Sequence, residues 1–167
     1  MLRPSSPLIL PMTEGDVDAV TSVAASAFAQ PWAREVFCEE LSRPWSVLRV
    51  LRATPGGPIC AFANVWLVRD EVHVLNLATA PDCRRRGYAR LLLDDVLAFA
   101  RTHRARYITL EVRRSNTSAQ QLYKTSGFAA IGVRPRYYVE DDEDAVVMLL
   151  TLDPETGLAE PREDVAF

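Results

Sequence analysis

The stretch of this chain best equipped for chemistry is Arg84-Arg85-Arg86-Gly87-Tyr88-Ala89. It follows the run Val72-His73-Val74-Leu75-Asn76-Leu77-Ala78-Thr79 and precedes Arg90-Leu91-Leu92-Leu93-Asp94-Asp95-Val96-Leu97, so it reads as a tight basic turn between a strand and a helix. Gly87 can turn the backbone where a side chain would clash, and the first N–H groups of the helix then face outward at the positive end of its dipole. Such a turn can cradle a phosphate. A dinucleotide fingerprint needs three glycines and a P-loop needs Gly-Lys-Ser/Thr. This turn has one glycine and neither ending, which removes both nucleotide readings. A plain strand-to-helix turn with solvated arginines shares the pattern and stays open as the alternative.

The elements that must position this turn follow from periodicity. Leu8 to Leu10 is a first short strand closed by Pro11, and Thr13-Glu14-Gly15-Asp16 supplies N-cap chemistry for a helix running to about Phe28, with Val17, Val20, Val23, Ala24 and Ala27 on one stripe. A second helix is expected from Trp32 to about Ser42, carrying Val36, Phe37, Glu40 and Leu41 at helical spacing and stopped by Pro44. Ser46 to Ala53, the turn Thr54-Pro55-Gly56-Gly57 and Ile59 to Val68 form a hairpin, and Glu71 to Thr79 is the third strand of that meander. The helix from about Tyr88 to Thr102 is expected to bury Leu91, Leu92, Val96 and Phe99.

Arg106 to Arg113 is a strand with Ile108, Leu110 and Val112 on one face and Thr109, Glu111 and Arg113 on the other. Ser115-Asn116-Thr117 caps a short helix to about Thr125, Gly127 ends it, and a broken strand runs from Phe128 past Pro135 to Tyr138. The acidic run Glu140 to Asp144 suits a hairpin loop before the last strand, Asp144 to Leu152. It could favour a cationic peptide or be a solvated turn. Asp153 to Phe167 is expected to be a flexible polar tail. The order β-α-α-β-β-β-α-β-α-β-β predicts an α/β (α+β) domain over residues 1–152: a mixed central sheet of about six to seven strands flanked by about four helices.

Composition bounds the partners. At 167 residues the chain suits one domain burying roughly 70% of its unfolded surface. Hydrophobic residues make up 49% and no apolar run approaches the ~18 residues of a membrane span, so no membrane partner is expected. The first eleven residues, with one arginine and the apolar stretch Leu8-Ile9-Leu10, do not resemble a secretion signal. A net charge of −3 argues against a broad nucleic-acid face. Cys38, Cys60 and Cys83 form no C-x-x-C, and His73 and His103 share no metal-ligand spacing, so a reduced, metal-free, cytoplasmic protein is expected. Cys83 lies beside the basic turn and is either a reactive thiol or a bystander.

With Arg84, Gly87 and Ala89 in its diagnostic places, the turn resembles the Arg/Gln-x-x-Gly-x-Gly/Ala motif of the GNAT superfamily of N-acetyltransferases, and the element order matches the GNAT fold. Leu110-Glu111-Val112-Arg113-Arg114-Ser115-Asn116, followed by Ala119, Leu122-Tyr123 and Ser126-Gly127-Phe128, is similar to the signature of the RimI family, the ribosomal-protein-alanine N-acetyltransferases. Agreement extends through Pro31-Trp32, Asn76-Leu77-Ala78, Pro81-Asp82 and Tyr137-Tyr138, covering about residues 8 to 152. Tyr88 and Ala89 depart from the aliphatic residue and glycine more usual there.

The resemblance implies acetyl-CoA as co-substrate and a peptide or protein N-terminus, that of a ribosomal protein, as acceptor. It implies that Arg85, Arg86, Gly87, Tyr88, Ala89 and Arg90 hold the pyrophosphate, that the backbone of Leu77, Ala78 and Thr79 pairs with the pantetheine arm, and that Asn116 touches CoA. Acetyl transfer from a thioester needs a neutral amine, an oxyanion donor and a proton for the thiolate. By motif position Glu111 is the implied general base and Tyr123 the general acid. Structural alternatives are a Glu111 paired with Arg113 or Arg85, a Tyr123 that only packs, and an Asn116 that only caps its helix. Acetylation of a small amine, polyamine, antibiotic or protein lysine, and a silent acyl-CoA sensor, are the competing functions.

Overall fold

The computed structural model describes residues 6–167. The chain divides into two compact units, Met1–Leu67 with Leu75–Ala98, and Val68–Val74 with Phe99–Phe167. Each is discontinuous in sequence, because two strands and one helix pass from unit to unit.

The first unit begins with β1 (Leu8–Pro11), a 3-10 turn (Glu14–Asp16) and α1 (Val17–Ala27). Thr13 donates through its backbone N–H and its hydroxyl to Asp16 Oδ2, each at 2.9 Å, so the expected N-cap chemistry is present. The stripe of α1 buries Val17, Val20, Val23 and Ala24. α2 spans Arg34–Ser42, two residues shorter than expected, because Ala33 is extended at its N-cap. Trp32 instead sets its ring 5.7 Å from that of Phe37, which meets Phe62 edge-on at 5.6 Å. β2 (Ser46–Arg52) pairs antiparallel with β1 and with β3 (Ile59–Val68). The core gathers Met12, Val20, Phe37, Val50, Phe62 and Ala78.

Glu40 shares the apolar stripe of α2 and is buried, at 1% exposure. Its carboxylate accepts from Arg43 Nη1 (2.6 Å), Ser46 Oγ (2.5 Å) and Trp66 Nε1 (2.7 Å), the partners that a buried charge requires.

β4 (Glu71–Thr79) and α3 (Tyr88–Thr102) cross between the units with the expected bounds. The buried face of α3 is Leu92, Leu93, Val96, Leu97 and Ala100, whereas Leu91, expected inside, is 39% exposed and Phe99, also expected inside, is half-buried. Three consecutive leucines leave the stripe free to rotate by one residue, and packing selects the later pair.

In the second unit, Glu71–Val74 of β4 runs parallel to Tyr107–Leu110 of β5 (Tyr107–Arg113). β5 pairs antiparallel with β7 (Glu143–Leu152), which pairs with β6 (Ala129–Tyr138). α4 (Thr117–Thr125) is capped by Asn116, whose Oδ1 accepts from Ala119 N at 3.1 Å. Gly127, at φ +101°, turns the chain from α4 towards β6. The register of β6 slips between Arg134 and Tyr138, around Pro135 and a left-handed Arg136. The strand order is β1-β2-β3-β4-β5-β7-β6, mixed and mostly antiparallel.

Residues 153–167 differ from the flexible tail expected. Ala159–Glu160 forms β8 on β7, an eighth strand beyond the six or seven predicted. Val165 N–H donates to Ala130 O at 2.9 Å, and Asp164 accepts from both Ala130 N (2.9 Å) and Lys124 Nζ (2.7 Å). Asp164 and Val165 satisfy both backbone groups of Ala130 on β6, so the tail is held by hydrogen bonds that no hydrophobic periodicity announces. Among the described residues no helix is long and apolar enough to cross a membrane.

Candidate active site

The basic turn lies in the first unit. Ala80 N–H donates to Cys60 O (2.8 Å), Ala80 O accepts from Cys83 N–H (2.9 Å), and Arg84 is extended. Arg85 and Gly87 are both left-handed, at φ 63° and 78°. The bond from Leu91 N–H to Gly87 O (3.1 Å) is the first of the helix, so the N–H groups of Tyr88 and Ala89 precede the helical ladder. A Cβ built on Gly87 would meet nothing within 4 Å. Open space there, exposed Arg84, Arg85 and Arg86, and two such N–H groups fit a pyrophosphate. Arg90, on the first turn of α3, is half-buried.

Burial raises the Cys83 thiol to about 12, with the Cys60 thiol beside it adding to the effect. A group that stays protonated at neutral pH is a poor nucleophile, so Cys83 is a bystander to the turn.

Just before the turn, β4 alternates strictly: Val72, Val74, Asn76 and Ala78 are buried, while Leu77 and Thr79 are half-buried. Its parallel ladder with β5 covers Glu71–Val74, leaving Leu77, Ala78 and Thr79 further along the strand. Asn76 is the polar exception on the buried face, and its Nδ2 has no hydrogen-bond partner.

The second unit holds the carboxylate and the phenol. Glu111, on the half-buried face of β5, has Arg134 Nη2 3.4 Å from its Oε1. Neither Arg113 nor Arg85 is its partner, contrary to the expected alternative. Arg113 is engaged by Asp141 Oδ2 (2.6 Å) and Glu143 Oε2 (2.9 Å), and its guanidinium lies 3.9 Å from the centre of the Tyr138 ring. Glu143 also accepts Ser115 N–H (2.8 Å), while Asp144 pairs with Arg114 and Asp142 with Arg136. Four of the five acidic residues of the run, Asp141 to Asp144, are thus ion-paired, and Glu140, Asp141 and Asp142 remain exposed on a turn, as the solvated-turn reading expects.

Tyr123 is buried on α4, its ring 5.8 Å from Phe128. Burial, and secondarily the nearby Tyr138, push its phenol up to about 12, so it carries its proton throughout the neutral range. Asn116 stands exposed at the start of α4 with its Oδ1 committed to the cap, so the capping role is present whatever else the side chain does. Tyr138, raised to about 12 chiefly by burial, joins this cluster without having been singled out as a site residue. Its only signal was the pair Tyr137-Tyr138 beside an acidic loop.

Residues 17–128, which draw on both units, match the model of the acetyltransferase (GNAT) family. The [ribosomal protein bS18]-alanine N-acetyltransferase of Escherichia coli K12 is 32% identical over 139 residues, spanning 82% of this chain and 92% of that protein. The Haemophilus ducreyi enzyme of the same name is 32% identical over 148 residues, spanning 87% and 100%. The crystal structure of the Escherichia coli enzyme superposes with a TM-score of 0.80 at 30% identity, covering 90% of this chain and 97% of that one. With the family model matched over residues 17–128 and relatives 32% identical along nearly their whole length, the chain belongs to the acetyltransferase (GNAT) family and is an N-acetyltransferase.

Proposed function

We propose that this enzyme transfers the acetyl group of acetyl-CoA to the N-terminal alanine of a small-subunit ribosomal protein in the cytoplasm, bS18 by analogy with its relatives. The observation that carries the acceptor is the 32% identity, over 92% of its length, to an Escherichia coli enzyme named for that reaction. Acetyl-CoA supplies the activated acyl group. The chain binds its pyrophosphate at Arg85 to Arg90 and lays its pantetheine arm along the backbone of Leu77, Ala78 and Thr79, with Asn116 at its side; a backbone N–H of that segment polarises the thioester carbonyl. Glu111 accepts the amine proton through water, and Tyr123 delivers a proton to the departing sulfur.

The size of the deprotonation task fits this assignment. An α-amine titrates near 7.7–8.0 and a lysine near 10.4, so reaching the neutral amine at pH 7 costs roughly 1 kcal/mol for the first and roughly 4.6 for the second. One strand carboxylate acting through water is adequate for the smaller task. The test compares a peptide beginning with alanine, the same peptide blocked at its N-terminus but carrying an internal lysine, and spermidine. The α-amine peptide is expected to be the preferred acceptor. A faster rate with the blocked peptide or spermidine would overturn the acceptor, and no CoA release with any amine would leave a binding protein.

A further inference from the structure

Along β4 the buried positions read Val72, Val74, Asn76, Ala78, so an amide occupies a register otherwise filled by apolar side chains. Asn76 is 8% exposed and its Nδ2 lacks a partner among the described residues. A buried donor left unmade is a standing cost to the folded protein, and native structures rarely keep one without a reason. Two other buried polar atoms, Asn64 Oδ1 and Thr151 Oγ1, share that condition. Asn64 has a job on its other atom, donating through Nδ2 to Ser46 Oγ in the network around Glu40. Asn76 differs by its place. It follows the last β5-paired residue, Val74, and directly precedes Leu77 to Thr79, the segment assigned to the pantetheine arm.

We infer that the Asn76 carboxamide is a positioning group for the cofactor, its Nδ2 donating to an oxygen of the pantetheine–acyl arm. The inference rests on the reading of this enzyme as acetyl-CoA-dependent and adds a side-chain contact to the backbone contacts of that strand. The chemistry suits the ligand. The arm carries amide carbonyls and, when loaded, a thioester carbonyl, all neutral acceptors, and an uncharged amide donor can meet one without bringing a charge into a buried strand. A donor without a protein partner is also preorganised, since no internal bond must break when the arm arrives.

This arrangement predicts opposite signs for two measurements on one variant. Asn76→Leu keeps the branched shape and removes the unmet donor, so the ligand-free protein should melt higher, by roughly 2–4 °C for each kilocalorie of relieved cost. The same change should weaken CoA and acetyl-CoA, measured by calorimetry, by roughly three- to tenfold, the worth of one neutral hydrogen bond. Adenosine 3′,5′-bisphosphate, which lacks the arm, should bind wild type and variant alike. Should leucine overfill the site, Asn76→Ala provides the same comparison of ligands with and without the arm. An Asn76 that merely supports the fold would give a lower melting temperature in both variants and no selective loss of the arm-bearing ligands, which overturns the inference. Equal weakening of all three ligands also overturns it, by placing the damage at the phosphate turn. If wild type bound CoA normally and the variants bound it equally well, only Asn76 would be wrong; if wild type failed to bind CoA, the acetyl-CoA reading would fall and the inference with it.

Discussion

At the scale of single residues, the site depends on conformations and protonation states that particular side chains impose. Gly87 sits at φ 78° with open space where a Cβ would be, so Gly87→Glu adds backbone strain and sets a carboxylate at the proposed pyrophosphate site. Calorimetry is expected to show no CoA binding by this variant while its circular dichroism stays that of the parent. Tyr123→Phe keeps the ring against Phe128 and removes the proton, so turnover should fall by ~10²–10⁴-fold with little change in melting temperature near neutral pH. The same variant has a second signature. The Tyr123 phenol is raised from an ordinary value of 10.0 to about 12, so the folded state holds its proton more tightly than the unfolded chain. Stability from this source is fully present below 10 and is lost as pH rises towards 12. Tyr123→Phe should therefore lose less stability than wild type between about pH 10 and 12 in urea titrations. Glu111, Tyr123 and Asn116 can be proposed from the sequence, because each falls within a short block of fixed spacing. Arg134, Tyr138 and the carboxylates around Arg113 were not: they lie some twenty to thirty residues from their partners, and only the pairing of β5 with β7 and β7 with β6 makes them neighbours.

At the scale of elements, local pattern predicted strands better than helix faces. β5 alternates as read, because a period of two admits only two choices and the charged residues decide between them. The face of α3 is rotated from the expected one, with Leu91 exposed and Phe99 half-buried, since Leu91-Leu92-Leu93 satisfies more than one stripe. α2 carries the less obvious lesson. Glu40 occupies a core position that its charge would seem to forbid, and it is tolerated because Arg43, Ser46 and Trp66 all donate to it. Glu40→Ala strands the Trp66 N–H and the Ser46 hydroxyl and should cost roughly 1–3 kcal/mol, read from the urea midpoint with unchanged slope. Trp66 fluorescence should report the change directly. A variant with the parent's midpoint would mean that water replaces the carboxylate without cost.

At the scale of the whole molecule, the chain order and the paired motifs identified the family, while the acceptor rests on kinship with enzymes of known reaction. The discontinuity of the two units was invisible beforehand, since nothing in the sequences of β4 or α3 marks Val74 or Ala98 as a point where contacts change. The carboxyl-terminal hydrogen bonds were equally hidden, and they bear on solubility. A sheet's outer strands carry unpaired N–H and C=O groups that can recruit another chain. At one end of the strand order, β1 is only four residues long and ends in Pro11, which limits such recruitment. At the other end lies β6, ten residues long, and there Asp164 and Val165 occupy both backbone groups of Ala130. Removing residues 161–167 bares both backbone groups of Ala130 on that edge in a protein whose net charge of −3 provides little mutual repulsion. The shortened protein is expected to self-associate more than the full chain at equal concentration, as sedimentation velocity would show, and Asp164→Ala should move part of the way towards it. Equal sedimentation of all three would mean that the rest of the edge, with Pro135 and its register slip, is already unfit for pairing; otherwise the last seven residues act as a guard against aggregation.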